Sequence, residues 1–200
     1  MWREAQRAFA QEPFFEKPPH LALLRTVMPV FACPADGRVW QPKDFGPFQV
    51  AFTSYLGVEG TDRSRKDGLL FVDSRIRLAQ VIDGTSNTLM VGERPPSADL
   101  VFGWWYAGWG QAKDGSAEMV LGVSELNVSP RYQHCPPGPY TYQAGSLSNN
   151  CDLFHFWSVH SGGAHFQLAD GSVHFLDYSA APLMPALATR AGREVVTLRK

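Results

Sequence analysis

Apolar and polar positions alternate on both sides of one Asp-Gly pair in GAHFQLADGSVHFLD, residues 163–177. Alternation at period two marks strands with one buried face, and Asp-Gly between two such runs predicts a β-hairpin. With Asp170-Gly171 as a two-residue loop, Ala169 faces Ser172, Leu168 faces Val173, Gln167 faces His174 and Phe166 faces Phe175. Phe166, Leu168, Val173 and Phe175 then share the apolar face, and His165, Gln167, Ser172 and His174 share the polar one.

Upstream, WREAQRAFAQ (2–11) has a helical period, with Trp2, Ala5 and Phe9 on one side and Pro13 as its stop. LALLRTVMPVF predicts a short helix entering an apolar strand near Val30-Phe31. FQVAFTSYLGV (48–58) and GLLFVDS (68–74) read as strands, and a strand is expected over Thr88–Gly92. VFGWWYAGWG reads as aromatic strand followed by loop. Residues 110–150 have the weakest period, within a loop-rich insertion at about 95–150. APLMPALATRAGREVV predicts a last short helix with Gly192 as its C-cap. Asp-Gly recurs at 36, 67, 83 and 114, marking further turns. The sum is an α+β chain dominated by antiparallel strands, with short helices and long loops, in a single domain.

Composition narrows the function classes. The 200 residues are 44% hydrophobic, enough for a real core. Eighteen Lys+Arg against 19 Asp+Glu give −1, without a basic face for nucleic acid or anionic lipid. No apolar run is long enough to span a bilayer, and residues 1–7 do not resemble a signal peptide.

Cys135 and Cys151 flank PPGPYTYQAGSLSNN, a loop without period that needs a constraint; a disulfide there competes with two reduced thiols. The pair leans towards an oxidising compartment, with Cys33 left over as a small buried hydrophobe. Five of six histidines lie between 134 and 174. His165 and His174 share a face in the expected register and His160 could reach back to the turn. These three are weak metal candidates beside the simpler reading of structural histidines. DGTSNT (83–88) offers Asp83, Thr85, Ser86 and Asn87 to a calcium ion, or equally to a tight turn. Trp104, Trp105 and Trp109 could form a stacking platform for a ligand, or a buried cluster. No Gly-x-Ser-x-Gly elbow and no phosphate-cradling glycine loop occurs.

His160 followed after nine residues by Asp170-Gly171, in FWSVHSGGAHFQLADGSVHFL, resembles the signature of the planctomycete-type prepilin-like H-x9-DG proteins, the DUF1559 domain of unknown function. PVFACPADG (29–37), SYLGVEG (54–60), VIDGTSNTLMVGE (81–93) and the ALATRAGREVV tail fit that family in order. His160, Gly162, Gly163, Asp170 and Gly171 are the matching motif positions. The resemblance implies an exported, extracytoplasmic protein with a pilin- or pseudopilin-like head, and no catalytic residues or cofactor. It implies pilin-like subunits or secretion and surface-assembly components as partners, and a membrane anchor only through an N-terminal helix preceding the segment seen here. Against this leading reading stand a carbohydrate- or peptide-binding module on the tryptophans and a metal-dependent hydrolase on His160, His165 and His174.

Overall fold

The computed structural model describes residues 1–194 and Val196; Val195, within the tail motif, lies outside them. Helix α1 (Trp2–Gln11) ends at Glu12, before Pro13, as its period predicts. Its apolar side does not enter the core: only Ala8 is buried, while Trp2 and Phe9 are 74% and 45% exposed. Helix α2 (Leu21–Leu24) is a single turn. The strand expected at Val30-Phe31 is instead a 3-10 turn, Pro29–Phe31, because Pro29 presets a helical φ and has no N–H for a ladder.

Strands β1 (Lys43–Phe45) and β2 (Phe48–Val50) form a small hairpin around Gly46. The main sheet holds β3 (Tyr55–Gly60), β4 (Leu89–Glu93), β5 (Val120–Gly122), β8 (Gly163–Leu168) and β9 (Val173–Asp177), in the order β5-β3-β4-β8-β9. Two short strands, β6 (Ser124–Glu125) and β7 (Tyr140–Thr141), pair beside it. Helix α3 (Met184–Ala188) closes the described chain; Thr189, not Gly192, is its C-cap. The chain is therefore α+β, with antiparallel pairs throughout the main sheet except β3–β5, which is parallel.

Three further strand expectations change. Residues 48–58 are not one strand, because the chain breaks at Thr53-Ser54, where the Thr53 hydroxyl caps Tyr55 N–H and Ser54 N–H donates to the Phe31 carbonyl. GLLFVDS is not a strand either: only Gly68 and Leu70 donate to β3, at the Glu59 and Val58 carbonyls. The aromatic stretch at 101–110 contributes an isolated bridge, Phe52 with Trp104.

The 95–150 stretch is loop-rich but does not sit outside the fold. It supplies the edge strand β5, and Phe102, Leu121, Tyr132, Tyr140 and Tyr142 enter the main core with Phe154, Phe156 and Phe166. A second core gathers Phe15, Leu24, Val39, Val50, Phe52 and Trp104 near the N-terminal end.

The C-terminal hairpin forms, one residue out of the expected register. Gln167 pairs with Val173, Phe166 with His174 and His165 with Phe175. Gly171 N–H donates to the Leu168 carbonyl, Leu168 N–H donates to Ser172, and Gly171 takes φ +88°, so the loop has three residues rather than two. A slip of one exchanges faces. Ala164, Phe166, Leu168 and Leu176 are buried together, while Val173 and Phe175 remain 61% and 46% exposed.

Candidate functional site

One face of the sheet carries a polar row. Tyr55 on β3 pairs with Glu93 on β4, and Glu93 reaches His165 on β8, whose N–H and Nδ1 lie 2.6 and 3.1 Å from Oε2. Phe175 on β9 ends the row, its ring 5.1 Å from that of His165. Two loops bring Cys33 and His160 onto it. His160 Nε2 lies 3.3 Å from Glu93 Oε1 and 3.5 Å from Cys33 Sγ.

Local structure fixes each of these groups. Cys33 N–H donates to Ser54 Oγ, and Asp36 N–H donates to the Cys33 carbonyl in the tight turn of Cys-Pro-Ala-Asp. His160 N–H donates to Ser158 Oγ, and that hydroxyl donates to the Gly163 carbonyl. Cys33 and Glu93 are buried, and about a third of the His160 side chain faces solvent. Burial pushes the Cys33 thiol above its ordinary range, and the Glu93 carboxylate adds to it; Tyr55 is raised by burial, with Cys33 and Glu93 adding.

Nucleophilic catalysis does not fit this geometry. A thiol–imidazole–carboxylate relay uses the two ring nitrogens separately, one for each neighbour. Here Nε2 of His160 faces both Sγ and the carboxylate, and the raised thiol is the less nucleophilic form.

The positions singled out in the sequence disperse. His160 does not reach the Asp170-Gly171 turn, because the six-residue β8 carries that turn roughly 20 Å away. His165 and His174 lie on opposite faces in the observed register, so His160, His165 and His174 do not converge; His174 Nε2 meets Ser172 Oγ at 3.1 Å. Asp83 spends both carboxylate oxygens on the amides of Gly192 and Arg193, which makes it a tether for the tail rather than a calcium ligand. Thr85, Ser86 and Asn87 form a 3-10 turn that docks on the hairpin, the Thr85 and Thr88 carbonyls accepting from Asp170 and Ala169 N–H.

The three tryptophans form no shared platform. Trp104 is 1% exposed and packs between Phe45, Phe48 and Trp109. Trp105 turns the other way, onto Phe31 and Tyr106, with its indole N–H on the Thr26 carbonyl. Cys135 and Cys151 are joined by a disulfide, their Cα atoms 5.5 Å apart.

The glycines of the motif act through the backbone. Gly162 takes φ +83°, and a Cβ on Gly163 would lie 2.1 Å from the Leu176 carbonyl oxygen. Gly163→Ala is therefore expected to destabilise by about 1–3 kcal/mol through forced separation of β8 from β9. Denaturant unfolding measures this; an unchanged midpoint would contradict the packing.

Sequence reading singled out His160 but missed Glu93, Tyr55 and the role of Cys33. Each nevertheless stands inside a motif quoted above: Cys33 in PVFACPADG, Tyr55 in SYLGVEG and Glu93 at the end of VIDGTSNTLMVGE. Comparison with curated proteins and with solved structures finds no match. A family model described as "Protein of unknown function (DUF1559)" matches residues 3–183, the span that holds every group in the polar row. The motifs that converge on Cys33, Glu93 and His160 are thus those of a family pattern running through nearly the whole chain, and the chain belongs to the DUF1559 family.

Proposed function

We propose that the chain is the exported head of a pilin-like (pseudopilin-like) subunit, a structural part of a surface or type II secretion-like assembly with no catalytic activity of its own. The observation that carries this reading is the apolar surface at α1. Trp2, Phe9, Met28, Phe31 and Trp105 line an open groove of about 830 Å³. Its polar side chains are few: Gln6, and Tyr106, whose hydroxyl meets His20 Nδ1 at 2.7 Å. Exposed apolar surface rimmed by polar groups suits a protein contact, whereas an enzyme cleft gathers polar groups that act on a substrate.

In this reading the groove takes the apolar face of a neighbouring pilin-like subunit. The disulfide agrees with an oxidising, extracytoplasmic location. No helix of the described residues is long and apolar enough to cross a membrane, so anchoring would fall to another segment or partner.

The test is a photo-cross-linking residue at position 2 in cells that produce the natural protein, with position 43 as control. Adducts to a second copy or another pilin-like subunit, from position 2 only and in an extracytoplasmic fraction, are expected. A cytosolic monomer with Cys135 and Cys151 reduced would overturn the reading.

A further inference from the structure

The geometry points to a zinc site formed by Cys33 Sγ, Glu93 Oε1 and His160 Nε2, with His165 as the outer partner that orients the carboxylate. The three ligand atoms lie within 4.8 Å of one another. Zinc bonds of about 2.3 Å to sulfur and about 2.0–2.1 Å to nitrogen or oxygen set tetrahedral edges of about 3.6 Å for S–N and about 3.3 Å for N–O. The observed separations are 3.5 Å from Cys33 Sγ to His160 Nε2 and 3.3 Å from His160 Nε2 to Glu93 Oε1. Two of the three edges therefore already match a tetrahedral site, and the third, from Cys33 Sγ to Glu93 Oε1, lies within 4.8 Å.

The surroundings match the needs of a metal thiolate. Glu93 Oε2 is held by the N–H and Nδ1 of His165, leaving Oε1 for the ion. A thiolate, an imidazole and a carboxylate form the mixed S, N and O set that zinc accepts and that calcium and magnesium do not. Binding releases the Cys33 thiol proton to solvent, and three protein ligands leave a fourth position for water.

The other cluster of such residues, His134 with Cys135 and Cys151, has both sulfurs committed to the disulfide. Cys33 is the free thiol among the described residues, buried and facing two groups that favour a bound cation. The role extends to the region around position 33 a function that does not depend on the assembly proposed above.

Chelator-treated protein with its disulfide intact, titrated with zinc alone and with cobalt alone, decides the matter. One equivalent of zinc is expected, and cobalt should show a thiolate-to-metal charge-transfer band with the intense visible bands of four-coordinate geometry. Cys33→Ser should abolish that band and weaken zinc binding by about 100-fold or more, and His165→Ala by about 10-fold. His174→Ala, on the opposite face, should leave both within about twofold, far inside the range a ligand commands. Wild-type protein without the charge-transfer band, or Cys33→Ser binding zinc as tightly as wild type, overturns the site. The wild-type cobalt spectrum gives this answer even if a variant fails to fold.

Discussion

Glu59→Gln is expected to stabilise the protein at pH 8 and to leave it nearly unchanged at pH 4.5. Glu59 lies on β3, buried beside Glu125 of β6, and its Oε1 has no hydrogen-bond partner among the described residues. Burial raises the Glu59 pKa far above its ordinary 4.5, and the charge of Glu125 raises it further. Glu125 is itself raised by burial, although the amides of Gly122 and Leu126 donate to its two oxygens.

A raised folded-state pKa means that the native protein prefers the protonated carboxyl. The associated stability is whole below the unfolded value of about 4.5 and is lost as pH rises through the folded value. The neutral amide of glutamine removes that loss and can donate to Glu125. At about 1.4 kcal/mol per unit, a gain of about 2–4 kcal/mol at pH 8 is expected. For a chain of this size that is a rise of roughly 4–16 °C in Tm. Glu118, pushed up to about 7 by its burial, loses stability over the lower part of the same window in both proteins and so cancels from the difference. Melting curves at pH 4.5, 6 and 8 measure the effect, and a difference that stays flat with pH would refute the buried-pair account.

Reduction of the Cys135–Cys151 disulfide is expected to lower stability by about 3 kcal/mol, from the entropy of a loop with a sequence separation of 16. That corresponds to a fall of roughly 6–12 °C in Tm. The effect should reach beyond the loop. Tyr142, inside it, donates its hydroxyl to the Leu176 carbonyl at 2.5 Å and accepts Ala164 N–H at 2.7 Å, tying the loop to both strands of the C-terminal hairpin. Hydrogen exchange at Ala164 should therefore accelerate with reduction, alongside the lower Tm. Unchanged protection at Ala164 would mean that the tyrosine holds the hairpin without help from the cross-link.

The elements with a local cause were legible in the sequence. Helix α1, strand β4, the hairpin and the break at Pro13 follow from period and turn chemistry alone. The hairpin register was not, because burying Val173 and Phe175 and closing a two-residue loop satisfied the same letters. Gly171 at φ +88° after a type I turn decides for three residues, and Ala-Asp-Gly suits either loop. The edge strand β5 escaped because a parallel pair needs a distant partner, here Gly57 and Val58, and only three residues take part.

The polar row failed for a related reason. Cys33, Glu93 and His160 are far apart along the chain, so no periodicity links them. Their meeting depends on β4 standing between β3 and β8, which is a property of strand order. The aromatic run at 104–109 misled in the opposite sense: adjacent tryptophans at alternating positions diverge, and Trp104 and Trp105 serve different sides of the second core.

The two borders of the main sheet are unlike. β5 borders the sheet on one side through its parallel pairing with β3 and β9 on the other through an antiparallel one, and among the described residues no strand pairs with the outer side of β9. Its backbone N–H and C=O groups on that side form an unsaturated ladder, next to the uncovered Val173 and Phe175. An extended segment from another molecule can therefore continue the sheet beyond β9.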